Sequence, residues 1–116
     1  LTATGRWSTQ GILFETGKSD LKPESTPTLK EIAGALKGHA DLKVEIQGHT
    51  DNVGKPADNL KLSEARAAAV KAALVGQYGV AETQLSTKGY GDTKPVGDNK
   101  SAEGRQNNRR VELVKQ

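Results

Sequence analysis

The chain has 116 residues, 34% of them hydrophobic, and a formal charge of +3 at pH 7 from 17 Lys and Arg set against 14 Asp and Glu. That length suits one domain spanning residues 1–116, which buries roughly two-thirds of the surface that its unfolded form would expose. The absence of cysteine excludes disulfides, thiolate metal sites and a cysteine nucleophile, and no apolar run is long enough to cross a bilayer as a helix.

The first predicted element is a buried strand around Gln10 to Glu15 (QGILFE), a short apolar run followed by the loop TGKSDLKP. Leu29, Ile32, Ala33 and Leu36 then recur at i, i+3, i+4 and i+7, with Lys30, Glu31 and Lys37 on the other side. This is the pattern of an amphipathic helix, with Pro23 and Pro27 at or near its first turn and Gly38 as its stop. Leu42, Val44 and Ile46 alternate with Lys43, Glu45 and Gln47, which predicts a strand with one apolar and one wet face. A second helix is expected from Ala57 to Gln77, a third strand from Gln84 to Tyr90, a short helix from Ser101 to Asn107 and a last strand from Arg109 to Lys115. The βαβαβαβ order implies an α/β two-layer sandwich, with helices on one face of a mixed four-stranded sheet.

Two charges stand out against this pattern. Leu62, Arg66, Val70 and Leu74 are four apart and share one helical stripe, so Arg66 is drawn toward the protein body with three apolar residues. A guanidinium there keeps its proton and needs an acceptor, unless its stem covers apolar surface while its head reaches water. Asp51 lies just beyond the carboxyl end of the second strand, where open α/β sheets tend to bind ligands. Two readings stand for the pair: a structural salt bridge, or a cleft that offers one anion and one cation to a zwitterion carrying an ammonium beside a carboxylate.

GHTDNVG, then Asn59, LSEARA, a GYGDTKP turn and EGRQNNRRVEL together resemble the OmpA-like peptidoglycan-binding domain. That family includes domains of outer-membrane porin-like proteins, the peptidoglycan-associated lipoprotein and flagellar stator proteins. The resemblance covers about residues 11–114, with four separated segments in the family's order. It implies a non-catalytic domain that anchors an envelope protein to the cell wall, with no cofactor and no metal. An aspartate and an arginine would clamp the meso-diaminopimelate of the peptidoglycan stem peptide, and the matching residues are Asp51 and Arg66.

Asn59 matches the family's asparagine before LSxxR and is expected either to contact the stem peptide or to cap the helix in its first turn. Arg109 and Arg110 match the NRRVE segment; neighbouring strand residues point to opposite faces, so one of them should reach the cleft, and Arg109 is the candidate. Thr50 and the Thr16–Gly17 turn are expected to line the cleft through backbone groups. The resemblance also implies the periplasm of a didermal bacterium, with a membrane anchor elsewhere in the full-length protein. That fits the lack of a leader pattern at Leu1, which otherwise reads as a cytosolic chain.

Two other functions compete. The positive charge suggests a nucleic-acid binder, but acidic residues sit beside most lysines and stacking aromatics are scarce. His49 and Asp51, two apart, have a spacing that could hold a metal or orient the base of a hydrolase. A metal site needs a further ligand, and His39 precedes the strand at its opposite end. The expected role of His49 is a loop hydrogen bond.

Overall fold

The computed structural model describes residues 5–15 and 17–116. In chain order the elements are β1 (Arg6–Thr9), α1 (Thr26–Lys37), β2 (Val44–His49), α2 (Pro56–Gly76), β3 (Leu85–Gly91), α3 (Ala102–Asn108) and β4 (Arg110–Lys115), with 3-10 turns at Pro23–Ser25 and Glu82–Gln84. The strands form one four-stranded sheet in the order β1-β4-β2-β3. β2 runs parallel to β3, while β4 is antiparallel to both β1 and β2. The sheet is therefore mixed, as the βαβαβαβ order predicts.

The core is assembled from small aliphatic side chains. Leu29, Ile32, Ala33 and Leu36 of α1 and Ala67, Val70, Ala73 and Leu74 of α2 pack in one cluster with Val44 and Ile46 of β2 and Val111 and Leu113 of β4. Trp7, Phe14 and Tyr78 lean against that cluster but are only partly buried. α3 contributes nothing to it. Ser101 caps α3 by accepting from the Gly104 N–H at 2.9 Å, and the helix delivers the chain directly into β4.

The first strand is not the one that the apolar run predicts. It lies at Arg6–Thr9, on the sheet edge, where it pairs with β4 through Arg6↔Val114 to Thr9↔Val111. An edge strand bonded on one side needs no continuous apolar run, and only Trp7 in this one has a large apolar side chain. The run QGILFE turns inward only at its centre, with Gln10 and Glu15 exposed, and for a different reason: the chain leaves the sheet and lies against the start of α1. A Cβ at Gly11 would come within 2.3 Å of the Thr28 hydroxyl, so glycine allows this approach without displacing that side chain. Ile12 then enters the core. The Leu13 N–H donates to Ser25 Oγ at 2.7 Å, and the same hydroxyl donates to the Leu13 carbonyl at 3.0 Å, replacing the bonds of a sheet ladder.

Two side chains organise the connections. Gln84, which ends the turn before β3, donates through Nε2 to the carbonyls of Leu36, His39 and Leu42, each at 3.0 Å. It thereby satisfies the end of α1 and the approach to β2. Asn108 is fully buried; it accepts from the Val96 and Gly97 N–H groups and donates to the Gly97 carbonyl and the Asn99 side chain. All of its side-chain hydrogen-bonding capacity goes into pinning the β3–α3 loop.

α2 meets the sheet backbone to backbone. A Cβ at Gly48 would lie 2.2 Å from the Ser63 carbonyl oxygen, and one at Gly89 would lie 2.4 Å from the Glu64 nitrogen. Ser63 is completely buried at this contact; its hydroxyl donates to the Leu60 carbonyl at 2.8 Å and accepts from the Gly91 N–H at 2.9 Å. Gly48→Ala and Gly89→Ala should therefore each destabilise the domain by at least ~2 kcal/mol through overpacking. Gly34→Ala, on the exposed side of α1 with open space around it, should stabilise it by about 0.5–1 kcal/mol. Urea unfolding of the three variants checks this; a Gly48→Ala protein as stable as wild type would mean that α2 can move away from the sheet without loss.

Candidate functional site

A cleft of about 570 Å³ opens at the carboxyl end of β2, lined by Ile12, Phe14, Gly17, Thr50, Asp51, Asn59, Arg66 and Arg109 among others. The fold brings these together from four places: the loop after β1, the loop after β2, the first turns of α2 and the junction of α3 with β4. Ile12, Leu13, Phe14, Val53 and Leu62 form an apolar wall, and the charged groups are set around it. Thr16 lies outside the described residues.

Asp51 is buried, at 7% exposure. Thr50 leads into it by extending the β2–β3 ladder through its N–H to the Gly91 carbonyl at 2.8 Å, while its hydroxyl donates to the Asp51 carbonyl at 2.8 Å. Oδ1 of Asp51 accepts from the Val53 N–H at 3.0 Å, and Oδ2 accepts from Nη1 of Arg109. Asn59 is not the N-cap of α2. Lys55 holds that position and Pro56 is the first helical residue, so Asn59 sits inside the first turn. Its Nδ2 donates back to the carbonyls of Val53 at 3.0 Å and Asp51 at 3.4 Å. It ties the loop that carries Asp51 to the helix that carries Arg66.

Arg66 faces the cleft from α2 and is half-buried. Its Nε donates to the Lys18 carbonyl at 2.9 Å, and its guanidinium lies over the Phe14 ring, 4.8 Å from the centroid. Both contacts fix the plane of the guanidinium. Among the described residues, its two terminal nitrogens make no hydrogen bond. Burial lowers the Arg66 pKa from its ordinary value, the neighbouring Arg109 cation lowers it further, and Asp51 opposes them. The group stays charged at neutral pH. Sequence reasoning missed these holders because a carbonyl at Lys18 and a ring at Phe14 carry no signal that points to residue 66.

Of the two readings for Asp51, its ion-pair partner in the structure is Arg109 rather than Arg66. Arg109 closes the end of α3, one residue before β4, and also donates to Gln106 Oε1 at 2.8 Å. Arg110 turns the other way. Its Nε donates to Glu112 Oε2 at 2.5 Å, and Nη2 donates to the Lys94 carbonyl at 2.9 Å.

Arg110 belongs to a polar row on the helix-free face of the sheet, which the alternation of β2 predicts to be wet. Gln47, His49, Arg110 and Glu112 are instead buried. The register explains the row: Gln47 pairs with Glu112 and His49 with Arg110, so all of them share one face. Tyr90, the extra residue where the β2–β3 register shifts, stacks on His49 with ring centroids 5.3 Å apart. Arg6 reaches across from β1 to Glu112. The signal for this row is the two-residue spacing of Gln47 with His49 and of Arg110 with Glu112.

His49 and Asp51 are not brought together. Nε2 of His49 lies 3.2 Å from Gln47 Oε1 and 3.7 Å from Glu112 Oε2, and no hydrogen bond joins it to Asp51 among the described residues. Gln47 donates to Glu45 at 2.9 Å, so its carbonyl oxygen faces the imidazole and the proton sits on Nε2. Among the described residues, buried Nδ1 has no hydrogen-bond partner. Burial, and then the Arg110 cation, push the His49 pKa down from 6.5 to about 4, against the pull of Glu112. Burial raises the Glu112 pKa, but hydrogen bonds from Arg6 and Arg110 outweigh it and hold the carboxyl below its ordinary value. Among the described residues, no group of three or more His, Cys, Asp or Glu is placed to hold a metal ion.

Comparison with known proteins supplies a frame for this geometry. Residues 13–109 match the OmpA family. Outer membrane porin F of Pseudomonas aeruginosa is 45% identical over 101 residues, which cover 87% of this chain and 29% of the porin. The chain thus spans under a third of that relative's length. Among solved structures, the peptidoglycan-associated lipoprotein from Burkholderia pseudomallei superposes with a TM-score of 0.82 at 32% identity, covering 94% of this chain and 89% of that one. The cell wall anchor of the T6SS from Pseudomonas aeruginosa superposes with a TM-score of 0.76 at 38% identity, covering 89% of this chain and 73% of that one.

The buried row beneath the cleft predicts a pH dependence. The folded-state pKa of His49, about 4, is below the unfolded value of 6.5, so the unfolded chain binds more protons between these limits. The stability contribution is therefore complete above pH 6.5 and is lost as pH falls toward 4, by roughly 3 kcal/mol. The depressed Glu112 adds to the loss at lower pH in the same direction. Urea midpoints measured between pH 7.5 and 4.5 should fall steeply for wild type and less steeply for His49→Gln, which keeps a donor but cannot gain a charge. Identical slopes for the two proteins would remove His49 as the cause.

Proposed function

This chain belongs to the OmpA family, and on that premise we propose that it is a non-catalytic domain that ties a larger envelope protein to peptidoglycan. The observation that carries the reading is the cleft itself, where a buried carboxylate, Asp51, and an immobilised guanidinium, Arg66, line one apolar-walled space of about 570 Å³. Such a pair suits a ligand that ends in an ammonium beside a carboxylate, and the side-chain end of meso-diaminopimelate is one. Asp51 accepts from the ammonium. Arg66, held by its Nε and by Phe14, presents its terminal nitrogens to the carboxylate.

Asn59 and Thr50 support this clamp by fixing the loop around Asp51, and Gly17 lines the same cleft. Gly17 has a φ of 69°, a left-handed conformation that glycine adopts without strain. The structural relatives support the assignment by their descriptions, one as a peptidoglycan-associated lipoprotein and one as a cell wall anchor. The porin relative belongs to the outer membrane. In this reading the domain works in the periplasm of a didermal bacterium, with its membrane anchor in another part of the full-length protein.

Asp51→Ala and Arg66→Ala should each weaken binding to purified peptidoglycan sacculi by about 30-fold or more, since either leaves a desolvated charge without its partner. Thermal melts alongside the pull-down should show both variants folded. Folded variants that bind like wild type would show that the clamp is wrongly placed. Arg66→Lys keeps the charge but loses the planar fork, and should cost about tenfold. Soluble stem peptides provide a separate check on the ligand. A lysine-type stem lacks the side-chain carboxylate and should bind wild type about tenfold more weakly than a diaminopimelate stem, whereas Arg66→Ala should not distinguish the two. Equal affinity of wild type for both stems would mean that Arg66 reads something else.

A further inference from the structure

The helix-free face of the sheet carries a second cluster of charge at its outer edge. Lys88 pairs with Gln47 across the β2–β3 ladder and Tyr90 stacks on His49, so both share the face of the buried row. Lys94, from the loop after β3, is held at the same place because its carbonyl accepts from Nη2 of Arg110 at 2.9 Å. The ammonium of Lys88 lies 5.1 Å and that of Lys94 5.0 Å from the centroid of the Tyr90 ring. Two cations thus converge on one ring, although like charges repel.

Both lysines are exposed, and neither makes an ion pair among the described residues. Glu112 is paired with Arg6 and Arg110, and Glu45 accepts from the Gln47 amide at 2.9 Å and the Tyr90 hydroxyl at 3.4 Å; neither carboxylate reaches Lys88 or Lys94. β3 is also an edge strand. Among the described residues it pairs with β2 on one side and with no strand on the other, and Ser86, Thr87 and Lys88 are exposed in succession. A single lysine on an edge strand serves to keep other chains from pairing with it. That role does not call for a second lysine, delivered by a separate loop to the same aromatic ring.

We propose that the outer edge of β3 and the two lysines at Tyr90 form a docking surface for an extended acidic protein segment. The segment adds a strand along Ser86, Thr87 and Lys88, where main-chain hydrogen bonds align it. Its side chains alternate between the two faces of the sheet, so carboxylates two residues apart fall beside Lys88 and beside Lys94 at the Tyr90 position. The partner therefore carries Asp or Glu at alternate positions, with uncharged residues between them. Complementary charge selects this partner and fixes its register. A second copy of β3 is disfavoured as the occupant, because it brings lysine toward lysine. None of Ser86, Lys88, Tyr90 and Lys94 lines the cleft, and the inference does not depend on the stem-peptide reading.

The test is titration of the isotope-labelled protein with capped heptapeptides, read by amide chemical shifts. One peptide alternates threonine with glutamate, a second alternates threonine with glutamine, and a third is the glutamate peptide with its two inner threonines replaced by proline. At low salt, wild type should bind the glutamate peptide about fivefold more tightly than the glutamine peptide, the worth of two exposed ion pairs, with the largest shifts at Ser86, Thr87 and Lys88. The proline peptide, which cannot complete an added strand, should bind more weakly than its parent. A Lys88→Gln, Lys94→Gln double variant should lose the preference for glutamate, and Arg66→Ala should keep it. Equal binding of the glutamate and glutamine peptides by wild type, an undiminished preference in the double variant, or its loss in Arg66→Ala would overturn the proposal. If wild type binds none of the peptides, the edge is closed to partners and the proposal fails. Binding to phosphatidylglycerol vesicles that needs the two lysines, without binding of the glutamate peptide, would assign them to a lipid surface instead.

Discussion

The direct contact between α2 and the sheet governs where everything else can be. Gly48 and Gly89 lie side by side on the parallel strands β2 and β3, and with no side chain on either the backbone of α2 at Ser63 and Glu64 rests on the sheet itself. Helices ordinarily stand off a sheet by the thickness of two layers of side chains. Here that spacing is lost at one point, which fixes the helix along and across the strands. Arg66 lies one turn after Ser63 and Asn59 one turn before it, so the contact sets the height of both above the end of β2. The contact thereby fixes the separation between the strand-end carboxylate and the helical guanidinium.

β4 makes the second constraint. It enters the sheet between β1 and β2, so that its first residues arrive beside the loop that bears Asp51. Because neighbouring residues in extended chain point to opposite sides, Arg109 and Arg110 are sent to different partners: one to Asp51 at the cleft and one to Glu112 beneath the sheet. The buried row of Glu112, Arg110 and His49, reached from the exposed Arg6, holds the amino-terminal end of β4 in register. Burying charge is costly in itself unless it is paired, and Arg6 and Arg110 both donate to Glu112. The neutral imidazole of His49 fits the same arrangement, since a protonated ring would put a third cation beside one anion.

Legibility in the sequence followed the range of the interaction. The stripe of α1 and the alternation of β2 express local periodicities, and both elements formed where the pattern placed them, to within two residues at the start of β2. The run around Ile12 also announced burial. It misled about the manner of burial, because a short apolar run looks the same whether a strand or an inserted loop carries it inward. Gly11 against Thr28, and Leu13 against Ser25, were the deciding contacts, and neither shows any periodicity. Asn59 was legible as a polar residue near a helix start, yet its task is set by the Val53 and Asp51 carbonyls that the loop turns toward it.

The sequence by itself determined the order of elements, the mixed α/β class, the apolar faces of the helices and the two charges, Asp51 and Arg66, that do not belong to those faces. These follow from spacings of two to eight residues, over which the geometry of helix and strand is known in advance. Only the tertiary structure decided that Asp51 bonds Arg109, 58 residues away, that the edge strand is Arg6–Thr9, and that Gln47 and His49 lie buried on the face expected to be wet. Each of these depends on which strands become neighbours. The order β1-β4-β2-β3 arises from packing the whole chain at once, and no local pattern of residues encodes it.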